Sequence, residues 1–175
     1  MQPHSQPIYY AIPCGPAKAG RRGGIGMKAL IQRVKHGRVS VDGETVGTVG
    51  AGYVVLLGIA AGDSEPDARH LAHRTVNLRI FEDDSGRMNR SVEDVGGGIL
   101  VISQFTLYAD TSKGNRPSFI HAGNPELASQ LYEAYLKALG EALGETRVER
   151  GRFGARMLVE IANDGPVTIE LNTDK

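Results

Sequence analysis

The chain has 175 residues, and its 20 lysines and arginines are balanced by 20 aspartates and glutamates. This length predicts one domain with a sizeable core, and the zero net charge excludes a global field that attracts nucleic acid or membrane. A single cysteine, Cys14, excludes an intramolecular disulfide and a multi-cysteine zinc site. No apolar run approaches the ~20 residues of a membrane span. We therefore expect a cytoplasmic protein with no metal, no cofactor and no membrane contact.

Residues 1–26 differ in composition from the rest of the chain. They hold four prolines, five glycines and three basic residues, with no acidic residue and no apolar periodicity. Such a segment buries too little apolar surface to offset the entropy lost on ordering. We predict a disordered extension over residues 1–26, whose removal leaves activity intact, and a single domain over residues 27–175.

The domain is predicted to begin with strands. Residues 28–34 and 39–41 have the composition of two short strands, and Asp42-Gly43 is a hairpin signal into residues 44–46. Residues 52–59 form a continuous apolar run, which is typical of a buried strand. Strands that precede any helix indicate antiparallel pairing.

A first helix is predicted after Ser64, with Pro66 in its first turn and Asp67 in a capping-box position. Helical spacing places one buried stripe on it. His70 and His73 lie off that stripe and lack a third metal ligand nearby, so we expect them to face solvent. The stripe consists of Ala68, Leu71, Ala72, Thr75 and Val76.

The middle of the chain holds a strand that turns polar at its end. After a strand at 78–81 and a turn at 83–86, residues 99–102 are uniformly apolar, which predicts burial on both faces. The polar residues Ser103, Gln104 and Thr106 follow. Such a strand end either delivers site residues or is an ordinary end whose hydroxyls bond to the backbone.

A second helix is predicted from the Asn124 cap and Pro125 to the region of Gly140 and Gly144. Two strands, at 155–161 and at 167–171, follow it. The order of elements predicts a mixed α/β domain, largely antiparallel, with two main helices. The apolar face of the second helix comprises Leu127, Ala128, Leu131, Tyr132, Tyr135, Leu136 and Leu139.

Two motifs closely resemble the signatures of the bacterial and eukaryotic D-aminoacyl-tRNA deacylases. They are SQFTL at 103–107 and NxGPVT at 163–168. Further matches at 32–34, 116–119 and 151–157 occur in the same order, so coincidence is a poor explanation. The resemblance implies a three-layer β/β/α single domain and a homodimer.

The resemblance also implies an activity and its selectivity. It implies hydrolysis of the ester in D-aminoacyl-tRNA, and in glycyl-tRNA mischarged on tRNA(Ala), as chiral proofreading in translation. Sequence alone favours a trans Gly165-Pro166 bond, whereas the resemblance implies a cis bond that reaches into the partner subunit's pocket. There two carbonyl groups would hold the substrate's α-amino group and leave no room for an L side chain.

The residue types leave few mechanisms open. None of the five histidines, His4, His36, His70, His73 and His121, falls in either motif, so a Ser-His-Asp triad is poorly supported. The backbone N–H groups of Phe105 and Thr106 are candidate oxyanion donors. Either Thr106 is the nucleophile, or the ribose 2′-hydroxyl assists a water molecule, which we favour. A non-catalytic nucleic-acid-binding module on the same fold is the further alternative.

The remaining site candidates each have a second interpretation. Arg33 either bonds the carbonyl groups of the Gly-Pro loop or is a solvent-facing strand arginine. Phe153 and Met157 either line the pocket or belong to the core. Four basic residues are candidate contacts to tRNA phosphates or scattered surface charge. These four are Lys113, Arg116, Arg150 and Arg152.

Overall fold

The computed structural model describes residues 25–174. Most of the predicted extension therefore lies outside the described residues, although the Gly26 carbonyl accepts a 2.9 Å hydrogen bond from the Tyr108 hydroxyl. Within 25–174 the elements are β1 (Lys28–Val41), β2 (Glu44–Val49), β3 (Gly52–Gly58), α1 (Glu65–Val76), β4 (Phe81–Glu82), β5 (Met88–Arg90), β6 (Gly98–Ser103), a 3₁₀-helix (Phe105–Tyr108), α2 (Pro125–Leu143), a second 3₁₀-helix (Glu145–Arg147), β7 (Val148–Arg150) and β8 (Leu158–Asn172).

The sheet is built on β1, which is one strand of 14 residues. Its first half pairs antiparallel with β3, its second half with β2, and β8 runs antiparallel along its other edge. The prediction of two short strands at 28–34 and 39–41 was wrong. The polar residues between them stay in the strand because they pair with β8 across a one-residue bulge at Lys35.

Strands β3, β6 and β7 are parallel neighbours and complete the order β2-β1-β3-β6-β7. One face packs against α1 and α2 through a core that includes Tyr53, Ile99 and Tyr135. The other face encloses a second apolar cluster that includes Val54 and Leu100.

The sheet coils until β2 lies against β7. A Cβ added at Gly47 would sit 2.7 Å from the Arg150 carbonyl oxygen, so the close approach of the two strands requires glycine there. The domain therefore has three layers. They are the two α-helices, the parallel strands β3, β6 and β7, and the part of the sheet formed by β1 and β2, which folds over those strands. The predicted β/β/α fold is confirmed.

Both helices begin where the sequence predicts. Ser64 and Asp67 form the capping box of α1, and the predicted stripe is buried while His70 and His73 are exposed. Asn124 Oδ1 accepts the Leu127 N–H at 2.9 Å at the start of α2. Gly140 lies inside α2 and is buried rather than marking its end, because the helix continues to Leu143.

Two strand predictions require correction. At 78–81 only Phe81 pairs in a ladder, since the Leu78 and Ile80 carbonyls accept side-chain hydrogen bonds from Tyr53 Oη and Arg33 Nη1. The strands predicted at 155–161 and 167–171 are one strand, β8, which starts at Leu158 and pairs with β1 on both sides of an irregular segment. In the described part of the chain, neither α-helix has the length and apolar character needed to cross a bilayer.

Candidate functional site

The first motif lies at the carboxyl end of β6. The Gln104 N–H donates to the Leu57 carbonyl at 2.8 Å, and the backbone then turns at Gln104 (φ −143°, ψ 81°) into the first 3₁₀-helix. Ser103, Gln104 and Phe105 are half-buried and Thr106 is exposed. The Gln104 side-chain amide donates to Thr106 Oγ1. The motif therefore presents side chains and the start of a short helix at the edge of the sheet where β3 and β6 end.

The segment after β7 lies beside this motif. Val101 pairs with Arg150, and the Gly151 N–H donates to the Val101 carbonyl at 2.9 Å, so Arg152 and Phe153 follow at the same sheet edge as Ser103. The carboxyl ends of parallel strands are a common place for ligand sites. A shallow pocket adjoins them, lined by Val46, Tyr132, Glu133, Arg150, Gly151, Arg152 and Phe153.

Met157 and Phe153 are both half-buried at this edge. The Phe153 ring is 5.6 Å from the Tyr132 ring. A Cβ added at Gly151 would lie 2.6 Å from Met157 Sδ, so the glycine allows the thioether to approach the strand end. Phe153 thus lines the shallow pocket and packs against the helix-side core, and Met157 packs against the second apolar cluster.

Phe119 is a neighbour of the motif that sequence reasoning missed. Its ring packs edge-on against Phe105, with centroids 5.0 Å apart and an interplanar angle of 74°. Lys113 and Arg116 are exposed on the same irregular connection, which leads from the first 3₁₀-helix to α2. The family match at 116–119 could have pointed to this residue, because Phe119 is the only aromatic residue in that match.

The second motif forms a protrusion from β8 with an exposed tip and a buried Val167. Asn163 pairs with Val34 and Thr168 pairs with Gln32, so residues 164–167 leave the ladder opposite Arg33. The Gly165–Pro166 peptide bond is cis and both residues are exposed. Gly165 has φ 138°, which favours glycine, and an added Cβ would sit 2.7 Å from Val167 Cγ2.

Arg33 lies beneath this protrusion and is only 6% exposed, so the interpretation as a solvent-facing arginine is wrong. Its Nε donates to the Asp164 carbonyl at 3.0 Å and its Nη1 to the Ile80 carbonyl at 2.6 Å. The guanidinium therefore joins the β8 protrusion to the segment that follows α1.

The two motifs are far apart within one protomer. From β8 to β6 the path crosses three strand spacings, and from Tyr53, opposite Arg33, to Leu57, opposite Ser103, it runs four residues along β3. With strands ~4.8 Å apart and a rise of ~3.3 Å per residue, the separation measured along the sheet is about 20 Å. The register therefore places the two motifs on different parts of the sheet of one protomer.

The chemistry of the strand-end site rests on polar and backbone groups. Burial raises the pKa of Tyr132, whose hydroxyl donates to the Val101 carbonyl at 2.8 Å, so this phenol stays neutral. Arg150 and Arg152 are both exposed, and Arg150 forms a 2.7 Å ion pair with Glu133. Among residues 25–174, no three histidine, cysteine or acidic side chains are grouped to hold a metal ion.

Comparison with solved structures identifies the fold. A structure named c-Myc DNA Unwinding Element Binding Protein has a TM-score of 0.80 and 42% identity, covering 85% of this chain and 99% of that one. A structure described as a probable eukaryotic D-amino acid tRNA deacylase has a TM-score of 0.73 at 18% identity, covering 83% and 98%, and this likeness shows the fold alone. The fold is the deacylase fold.

Sequence comparison identifies the family. The profile described as D-Tyr-tRNA(Tyr) deacylase matches residues 30–172. D-aminoacyl-tRNA deacylases of Halalkalibacterium halodurans and Deinococcus radiodurans are 57% and 53% identical, covering 82% and 83% of this chain and 97% and 99% of theirs. The chain belongs to the D-Tyr-tRNA(Tyr) deacylase family, and it is a hydrolase.

Proposed function

We propose that this protein hydrolyses the ester bond of D-aminoacyl-tRNA in the cytoplasm, releasing the free D-amino acid and tRNA. The observation that carries the proposal is the family match over residues 30–172, which includes both motifs intact. The curated relatives with matching chains are named D-aminoacyl-tRNA deacylases, which gives the substrate class.

The proposed reaction needs little from side chains because an aminoacyl ester is already activated. Water attacks the carbonyl carbon, the bond to the ribose 3′-oxygen breaks, and that oxygen takes up a proton. The N–H groups of Phe105 and Thr106 would donate to the oxyanion, and one such donor is worth ~10²–10³ in rate in other hydrolases. Phe105→Pro removes one N–H that Phe105→Ala keeps, so we expect the proline variant to be slower by about that factor.

The base is proposed to come from the substrate. The Thr106 hydroxyl accepts a hydrogen bond from the Gln104 amide, and an amide N–H is a donor that cannot take the proton of a nucleophile. A ribose 2′-hydroxyl beside the scissile ester would instead orient or activate the attacking water. Ser103 and Gln104 would shape this end of the pocket.

Selection against L substrates is proposed to come from Gly165 and Pro166 of the partner subunit in a homodimer. Two features support action across an interface: the dipeptide is exposed, and the path along the sheet from it to its own Ser103 is about 20 Å. Arg33 would hold the loop through the Asp164 carbonyl. Backbone atoms reject every L side chain alike, whereas glycine has none, so glycyl-tRNA(Ala) should also be cleaved.

The tRNA is proposed to contact exposed basic residues around the strand-end site. Lys113, Arg116, Arg150 and Arg152 are all exposed, and Arg150 also forms an ion pair with Glu133. If several of them participate, affinity for tRNA falls as salt rises.

The proposal is tested by following release from D-tyrosyl-tRNA and L-tyrosyl-tRNA at equal enzyme concentration. We expect the D substrate to be hydrolysed at least ~100-fold faster, a difference of about 2.7 kcal/mol in barrier. Equal rates for the two substrates would contradict chiral selection, and no release from either would contradict the activity.

A non-catalytic nucleic-acid-binding module is the second candidate. It is favoured by the solved structure at 42% identity, whose name describes binding to a DNA element. This candidate predicts retention of nucleic acid without ester release, so the same measurement separates the two.

A further inference from the structure

Asn163 occupies the point at which β8 leaves its ladder with β1. It pairs with Val34, and the ladder resumes with Thr168 opposite Gln32. The peptide groups of residues 164–167 are thus removed from the regular pairing that fixes a strand. If the carbonyl groups of this segment are to distinguish a hydrogen atom from a side chain, contacts other than strand pairing must hold the segment rigid.

The Asn163 side chain supplies the missing pairing. Its Oδ1 accepts the Val167 N–H at 2.8 Å, and its Nδ2 donates to the Val167 carbonyl at 3.3 Å and to Thr168 Oγ1 at 3.1 Å. A primary amide offers the same donor and acceptor as a peptide group. The side chain therefore stands in for a neighbouring strand at Val167.

The hydrogen bonds continue into β1. Thr168 Oγ1 also accepts from Gln32 Nε2 at 3.4 Å. At the other end of the segment, Arg33 Nε holds the Asp164 carbonyl at 3.0 Å. Gly165 and Pro166 are the residues between these two fixed ends.

We propose that Asn163 is a positioning residue for chiral selection, holding the far end of the Gly165–Pro166 segment through Val167. The inference rests on the proposed function. A group that distinguishes a hydrogen from a side chain must be held to within ~0.5 Å, because a loose segment moves aside for the larger substituent. Asn163 touches no reacting atom and acts through the segment.

The test measures kcat/KM for D-tyrosyl-tRNA and L-tyrosyl-tRNA in three variants. Asn163→Ala removes all three contacts, Asn163→Asp keeps an acceptor for the Val167 N–H, and Thr168→Val removes one acceptor of Nδ2. We expect the D/L ratio to fall by about tenfold or more in Asn163→Ala and by less in the other two. Partial unfolding lowers both rates equally, so the ratio isolates positioning from stability.

Asn172→Asp is the matched control for Asn163→Asp. It makes the same substitution on β8, at a position that lies opposite Lys28 and away from the protrusion. Its D/L ratio should equal that of the wild type. A folded Asn163→Ala with an unchanged ratio would overturn the inference. If Asn163→Ala does not fold, unchanged ratios in both Asn163→Asp and Thr168→Val overturn it instead. A wild type without D/L preference would contradict the proposed function itself.

Discussion

At Thr106 a hydroxyl group is exposed at the candidate site, with an amide donor as its hydrogen-bond partner. An activated nucleophile needs a neighbouring base, and Gln104 cannot be one. The side chain and the backbone of this residue therefore carry different proposed roles, and substitution can separate them.

We predict that Thr106→Ala retains near-normal cleavage of D-aminoacyl-tRNA, within about threefold, because it keeps the backbone N–H and loses only the hydroxyl. Single-turnover release from D-tyrosyl-tRNA is the measurement. Loss of cleavage by ~10³-fold or more in a folded variant would instead identify Thr106 as the nucleophile.

Asp63 gives the molecule a pH-dependent stability outside the site. Burial raises the pKa of its carboxyl to about 7, and the carboxylates of Asp67 and Asp174 add to the shift, against hydrogen bonds from the Ala60 and Met27 backbone. A folded-state pKa above the unfolded value means that the folded chain binds the extra proton. Stability is therefore lost as pH rises from about 4 to about 7.

We predict that Asp63→Asn raises the Tm at pH 8 and that this gain shrinks as the pH falls toward 4. The amide keeps an acceptor for the Ala60 N–H, which bonds Asp63 at 2.6 Å. Thermal unfolding at pH 4.5 and 8 checks it. Asp83→Asn is a control with the opposite expectation, because a hydrogen bond from Ser85 lowers the pKa of Asp83 to about 2. Loss of this carboxylate should lower the Tm at pH 8 instead of raising it.

Among the elements, the helices were predictable and the long strands were not. The stripe on α1 and the caps of both helices follow from local spacing. The continuity of β1 across Lys35 depends on β8, more than a hundred residues later in the chain. No local pattern carries that pairing.

The candidate site was likewise predictable only in part. The motif residues follow from family resemblance, whereas the burial of Arg33 and the Asn163 contacts depend on strand register. The Phe105–Phe119 contact depends on how an irregular connection folds back. Composition gives the residue types, and the register decides which of them meet.

We predict that Asn124→Ala lowers the free energy of unfolding by about 1 kcal/mol, because the Leu127 N–H at the start of α2 loses its acceptor. Urea unfolding at an unchanged m value measures it. Asn124→Ser keeps an oxygen at the cap and should stay near the wild type. Equal losses in both variants would mean that the cap contributes little.

On the scale of the whole molecule, the separation of the two motifs makes dimer assembly the central question. If Gly165–Pro166 acts in the partner's pocket, then one subunit supplies the dipeptide that selects the substrate in that pocket. The other subunit supplies the residues that cleave the ester. Subunits exchanged between variants can distinguish this arrangement from action within one protomer.

We predict that Pro166→Ala alone cleaves L-tyrosyl-tRNA measurably, and that an excess of Phe105→Pro subunits abolishes this L cleavage while D cleavage persists. In such a mixed dimer the active pocket faces an intact dipeptide, and the other pocket is inactive. Persistence of L cleavage at every ratio, with subunit exchange verified by mass, would show that each protomer selects with its own dipeptide.

The protrusion at 164–167 has a further consequence for engineering. Pairing resumes on both sides of it, from Gln32 opposite Thr168 and from Val34 opposite Asn163, so its length does not set the alignment of the strands. Substitutions confined to the exposed pair Gly165 and Pro166 should therefore leave the alternation of inward and outward side chains in the remaining β-structure unchanged, whereas Val167 is buried in the core. The fold thus carries an exposed dipeptide, open to substitution, at the position that we assign to stereochemical choice.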